Sequence, residues 1–211
     1  MTLAGKHILV TAGPTHEPID PVRMIANRSS GRQGFAIAAA AAEAGAQVTL
    51  VAGPVALDTP AGVERIDVET AEQMADAVMG ALPCDAAVMV AAVADWRVEP
   101  ADHKLKKERG TLSLNFTPTR DILAELGKST KRPRLLIGFA AETEDVIANA
   151  VAKRERKGAD WIVANDVSGD VMGGARNSVN LISGRGVEDW PEGTKEDIAA
   201  RLVERIAEEL S

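Results

Sequence analysis

The chain has 211 residues, 45% of them apolar and 26% charged, with a formal charge of −7, which is the usage of a globular protein with one sizeable core. The negative balance, the absence of tyrosine and the presence of only three phenylalanines argue against nucleic acid as the main partner, because neither a phosphate-neutralising surface nor a stacking platform is on offer. No run of eighteen apolar residues or secretory leader pattern appears, so no membrane partner is expected, and a lone cysteine, Cys84, rules out an internal disulfide framework and fits a reducing cytoplasm.

Residues 7–12 (HILVTA) form a continuous apolar run, the pattern of a parallel strand buried on both faces. A long segment, 13–30, follows; its three prolines, Pro14, Pro18 and Pro21, stiffen it, and its length marks it as an ordered functional loop. Residues 27–45 (NRSSGRQGFAIAAAAAEAG) then pass from small hydroxyl-bearing residues into an alanine-rich helix that is apolar almost all round, hence buried, and that stops at Gly45. Strands are predicted over 47–52, 63–68 and 86–92, with an amphipathic helix over 71–81.

The alternation is then interrupted. Residues 99–110 are polar and charged, and 112–116 alternate like a half-exposed strand. A short helix over 121–126, a buried strand over 135–140, a helix over 146–157 and a strand over 161–164 resume it, followed by a glycine-rich loop over 165–176. Strands over 179–182 and 187–190 flank the turn SGRG, and an amphipathic helix over 195–210 ends the chain. The fold class expected is α/β: a Rossmann-like parallel sheet flanked by helices, with a C-terminal β-hairpin extension, in a single domain over residues 1–211.

In such a sheet ligands lie beyond the C-terminal strand ends, so the groups that follow each strand form the candidate site. They are 13–30, then Val93 to Asp95, then Phe139 to Thr143, then Asn165 and Asp166. The helix opening at Ser29, Ser30 and Gly31 offers free N–H groups and a positive dipole end to an anion; serine as a plain helix cap explains the same residues, and the stretch alone leaves both readings open. Asp95 after a buried strand can bind Mg²⁺ or a nucleotide, or cap a turn. Lys104, Lys106 and Lys107 form either a solvated basic run or a lid that closes over phosphates. A dinucleotide-dependent oxidoreductase is the alternative the fold invites, yet no GxGxxG follows the first strand and the second ends in Ala52-Gly53-Pro54, without a carboxylate for a ribose. The three histidines lack metal-ligand spacing, and Cys84 has no adjacent base.

Taken together, VTAGPTHEPIDPVRMIANRSSGRQG, AAVADW, KLKK, GFAAET and ANDV resemble the phosphopantothenoylcysteine synthetase (phosphopantothenate–cysteine ligase) family, in its bacterial CTP-dependent branch, over nearly the whole chain. The resemblance implies a ligase of coenzyme A biosynthesis that joins 4′-phosphopantothenate to L-cysteine through an acyl-cytidylate, with CTP as co-substrate, Mg²⁺ as cofactor, and no flavin or decarboxylase half in this chain. It assigns Asn27 to the acyl oxygen of the intermediate, Arg23 and Lys104 to catalysis, and Ser29, Ser30, Gly31, Ala91, Ala92, Asp95, Lys104, Lys106, Lys107 and Phe139 to the nucleotide; metal ligands stay unassigned. It also implies a homodimer, for which the 183–186 hairpin is a candidate contact. A non-catalytic CTP sensor is a third reading, set apart from the ligase by pyrophosphate release.

Overall fold

The computed structural model describes residues 2–107, 111–142, 144–166 and 176–211. Among these, eight strands build one sheet in the order β12-β11-β10-β9-β6-β1-β4-β5. The ranges are β1 His7–Ala12, β4 Gln47–Ala52, β5 Val63–Asp67, β6 Ala86–Met89, β9 Leu135–Glu142, β10 Trp161–Asp166, β11 Arg176–Ser183 and β12 Gly186–Thr194. The six strands from β5 to β10 run parallel, and β11 and β12 add an antiparallel hairpin, as the sequence predicts. Strands buried on both faces must be covered twice. Helices α1 (Arg32–Glu43) and α5 (Lys195–Leu210) cover one face, and α2 (Ala71–Gly80), α3 (Ile122–Lys128) and α4 (Val146–Lys157) the other.

The path of the chain positions the site. From β1 it steps outward to β4 and β5, then crosses back to β6 on the other side of β1 and continues through β9 and β10. The direction of winding thus reverses between β1 and β6, which opens a crevice at their C-terminal ends. At that crevice β6 stops at Met89, three residues short of the predicted end. The following residues leave the ladder, although Ala92 still bridges to Pro14. Buried side chains replace the lost ladder. Thr11 Oγ1 accepts from the N–H groups of Val90 and Ala91 at 3.1 and 3.2 Å, Thr15 Oγ1 accepts from Ala94 N–H at 2.9 Å, and Thr119 Oγ1 donates to the Ala94 carbonyl at 2.6 Å.

Two sequence expectations are corrected. The segment 13–30 is not all loop: β2 (His16–Asp20) and β3 (Arg23–Ala26) pair as a hairpin arm, with Pro18 and Pro21 placed where a two-stranded ribbon tolerates a missing donor. Glu17, 3% exposed, seats this arm by accepting from the Ala71 N–H that opens α2, at 2.8 Å. Residues 112–116 form no strand despite their alternation; the pairing falls just beyond them, where β8 (Thr117–Pro118) meets β7 (Trp96–Arg97). Alternation supplies a face, but these residues have no partner strand to complete a ladder.

Candidate active site

Helix α1 begins at Arg32 with Gly31 as its cap residue, at φ 73°, a backbone conformation that glycine adopts without strain. No side chain caps this end: Ser29 Oγ instead accepts from Gly31 N–H at 3.3 Å, and the first turn holds no acidic residue. The plain-cap reading of Ser29 and Ser30 therefore fails, and the first-turn N–H groups face outward with the positive end of the helix dipole. Gly34 allows the close seating of this turn, since a Cβ there would lie 2.6 Å from the Ala12 Cβ.

The α1 terminus opens onto a cleft of about 870 Å³, the size range of small-molecule sites. Asn27, Ser29, Ser30, Gly31, Ala91, Ala92, Asp95 and Phe139 all line it, so the structure gathers most of the predicted residues from three separate stretches of chain. Asn27 donates through Nδ2 to the Val93 carbonyl at 3.0 Å, which fixes the amide at the mouth between the arm and the β6 tail. Its second amide hydrogen remains available for a ligand oxygen.

Four predicted residues lie outside the lining. Arg23 is turned to Asp20, donating through Nη2 at 2.5 Å and Nε at 3.0 Å, and through Nη2 to the Leu105 carbonyl at 2.9 Å. Asp20 in turn accepts from Leu105 N–H at 3.1 Å. The Arg23 guanidinium holds the Asp20 carboxyl well below the usual carboxylate range, against the opposing effect of its burial. Arg23 thereby tethers the base of the lysine loop, while Lys104, Lys106 and Lys107 stand exposed to solvent.

The cleft also holds cations that sequence reasoning passed over. Lys153 on α4 donates to the Phe139 carbonyl at 2.8 Å, and burial pushes its pKa down. Lys157, one turn on, pairs with Asp121, which also caps α3 by accepting from Ala124 N–H at 3.1 Å. Burial alone would raise the Asp121 carboxyl, but Lys157 and the Ala124 N–H hold it below its ordinary value. Arg120 braces this wall by binding Glu72 and Asp76 of α2 at 3.1 and 2.8 Å and Glu125 of α3 at 2.6 Å. In the sequence Lys153 and Lys157 sit in AKRERK, indistinguishable from a solvated helix face; the only signal was their spacing of four, which places both on one side of α4.

Among the described residues no group of three or more His, Cys, Asp or Glu forms a ready metal cage. The carboxylates lining the cleft are Asp95 and Asp121, and Asp121 is already paired. One open carboxylate beside an anion-ready helix end suits a cation such as Mg²⁺ that arrives largely coordinated by phosphates.

A doubly wound α/β sheet with an uncapped helix terminus and converging lysines at its switch point has the geometry of an anion-receptive cleft. More narrowly, residues 3–210 match the family described as the DNA/pantothenate metabolism flavoprotein C-terminal domain (DFP), and the chain belongs to that family. It is similar to the crystal structure of the C-terminal domain of a coenzyme A biosynthesis bifunctional protein CoaBC, at 40% identity and a TM-score of 0.84, covering 98% of this chain and 96% of that one. The Vibrio cholerae coenzyme A biosynthesis bifunctional protein CoaBC is 44% identical over 214 residues, 99% of this chain and 54% of its own length. A protein from an unknown prokaryotic organism named cysteine/cysteine sulfinic acid decarboxylase is 44% identical over 210 residues, 97% of this chain and 58% of its own length. The chain thus spans about half the length of the curated relatives it matches. No described helix is long and apolar enough to cross a membrane.

Proposed function

We propose that residues 1–211 act as a single phosphopantothenate–cysteine ligase unit of coenzyme A biosynthesis, working in the cytoplasm with CTP and Mg²⁺. The observation that carries the reading is one cleft in which the open α1 terminus, Asn27 and the α4 lysines meet, in a chain of the CoaBC C-terminal domain type. The carboxylate of 4′-phosphopantothenate attacks the α-phosphorus of CTP, the bond to the bridging oxygen breaks, and pyrophosphate leaves. The amine of L-cysteine then attacks the acyl carbonyl, loses a proton and expels CMP.

Each step places a demand that residues of this chain can meet. The first brings two polyanions together, and the α1 N–H groups, Lys153 and Lys157 offset their repulsion. Mg²⁺, held by Asp95 and the triphosphate, would add neutralising charge. The second step develops charge on the acyl oxygen, and the free N–H of Asn27 can donate to it without adding charge. Ala91 and Ala92 keep the tail that follows β6 small on the cleft wall they share with Phe139, leaving room for a flat base. Lys104 and its neighbours, tethered through Leu105 to Asp20 and Arg23, close over the phosphates as a lid.

We place the homodimer contact on the arms rather than on the polar 183–186 turn. Val22 and Met24 on the hairpin arm, together with Trp96 and Phe116 beside the β7–β8 pair, expose apolar surface that water disfavours. The test of function is pyrophosphate release from CTP with 4′-phosphopantothenate and cysteine. Release that requires phosphopantothenate supports the ligase. CTP binding without release indicates a sensor, and NAD(P) binding in place of CTP an oxidoreductase.

A further inference from the structure

Lys195 opens α5 and lines the cleft with only 7% of its surface exposed. Its ammonium makes no hydrogen bond or ion pair among the described residues. That position is unfavourable for a cation on two counts: burial removes water, and the first residue of a helix lies at the positive end of the dipole. Burial and, after it, the Arg32 charge both push its pKa down, and Glu196 only partly opposes them. Gln33 from the first turn of α1 donates to the Lys195 carbonyl at 3.1 Å, so the openings of α1 and α5 are joined at one place. The cleft therefore has two cationic poles, one from each face of the sheet. Lys153 and Lys157 come from the α4 side, and Lys195, Arg32 and the uncapped α1 terminus from the α1–α5 side.

We propose that Lys195 is a phosphate-binding residue, its ammonium and the open first turn of α1 together receiving a phosphate or pyrophosphate group of one substrate. The inference rests on the ligase reading, in which two phosphate-bearing substrates share one cleft and a single cationic pole would leave one of them facing the other's charge. A purely structural lysine would pack its stem against the core and pass its charge to water or to a carboxylate. Lys195 has its stem buried, no carboxylate bound among the described residues, and its ammonium open to the cleft, where an anionic ligand would take the place of water as its counter-charge.

The test uses Lys195→Met, which keeps an unbranched apolar stem, and Lys195→Arg, which keeps the charge. Calorimetric titrations with inorganic pyrophosphate, 4′-phosphopantothenate and CMP separate the sources of phosphate. The Met variant should lose about tenfold or more in affinity for pyrophosphate or for phosphopantothenate, while CMP binding changes less than about twofold; Arg should recover most of the loss. The probe that weakens identifies the substrate whose phosphate sits there. Unchanged affinity for both phosphate probes, or a wild-type protein that binds neither, overturns the proposal. If Lys195→Met fails to fold, the wild-type Lys195 ¹³Cε titration decides, with its resonance assigned by loss in the Arg variant. Its midpoint should move to higher pH with saturating phosphate probe, and an unmoved midpoint overturns the idea. The ligase reading is tested separately by wild-type pyrophosphate release. Turnover with a Met variant that binds both probes normally sinks only the Lys195 assignment, whereas no turnover sinks the ligase reading whatever Lys195 binds.

Discussion

Gly34→Ala tests whether the close seating of α1 on the end of β1 sets the anion site. The added Cβ would lie 2.6 Å from the Ala12 Cβ, 3.0 Å from the Thr11 carbonyl oxygen and 3.2 Å from the Ala12 Cα. None of these is the tip of a flexible side chain. The 2.6 Å must open to the 3.4 Å of ordinary contact, so the first turn of α1 lifts by roughly 0.8 Å. Overpacking of this kind costs about 1–3 kcal/mol, and alanine in place of glycine in a helix returns at most about 1 kcal/mol. A net loss of about 1–2 kcal/mol lowers Tm by about 2–8 °C in a chain of this size. The effect on function is larger, because Ser29, Ser30, Gly31 and Arg32 ride on the displaced turn. A misplacement near 1 Å costs on the order of 100-fold in catalysis. Calorimetric melting and the kcat/KM for pyrophosphate release check both values. A variant with Tm within about 1 °C of the parent and activity within about twofold would refute the claim that this contact positions the site.

Asn27→Asp replaces the N–H donated to Val93 with a carboxylate oxygen and sets charge beside the developing oxyanion. It should release one equivalent of pyrophosphate yet form amide about 10²–10³-fold more slowly, with acyl-cytidylate recovered after rapid quench; loss of the first step too would move Asn27 out of the amide-forming role. Lys104→Gln should lower kcat/KM by the equivalent of about 2–4 kcal/mol and Lys107→Gln far less, and near-parental rates for both would mean the loop does not close. Burial raises the Cys84 thiol to about 12, so it should resist iodoacetamide at pH 8 while the unfolded chain reacts. The linkage runs the same way: between the ordinary value of 9.0 and about 12 only the unfolded thiol ionises, so this group's contribution to stability is present below pH 9 and is lost as pH rises through that window in alkaline melts.

The strands that carry the sheet were legible because burial on both faces leaves an uninterrupted apolar run, as in HILVTA and LLIGFA. Prolines hid the arm, since Pro18 and Pro21 read as loop residues until a two-stranded ribbon accommodates them. At the site, Asp95 and Phe139 were within reach of topology, among the groups expected at the strand ends, whereas Asn27, deep in the 13–30 segment, was assigned through the family resemblance. Thr11 and Thr15 were not legible: Thr11 sits in an apolar run and looks like core, Thr15 sits in the proline-bearing 13–30 segment and looks like loop, and only the bent tail of β6 brings its N–H groups to both. Lys195 was equally silent: as the first residue of an amphipathic helix it reads as solvated, and its burial depends on α1, whose Gln33 reaches the Lys195 carbonyl from 162 residues away in sequence.

The two borders of the sheet bear on how the protein stays dispersed. One border, β5, carries Glu64 and Asp67; the other, β12, carries Glu188, Asp189 and Glu192 together with Pro191, which has no N–H to give. On β5 Asp67 is paired with Arg65, and on β12 Glu188 is paired with Arg205, so the charge at the borders is partly compensated; at Pro191 a ladder growing on β12 would still lack a bond. Edge-to-edge growth is thereby disfavoured at the β12 border, where Pro191 interrupts the donor row.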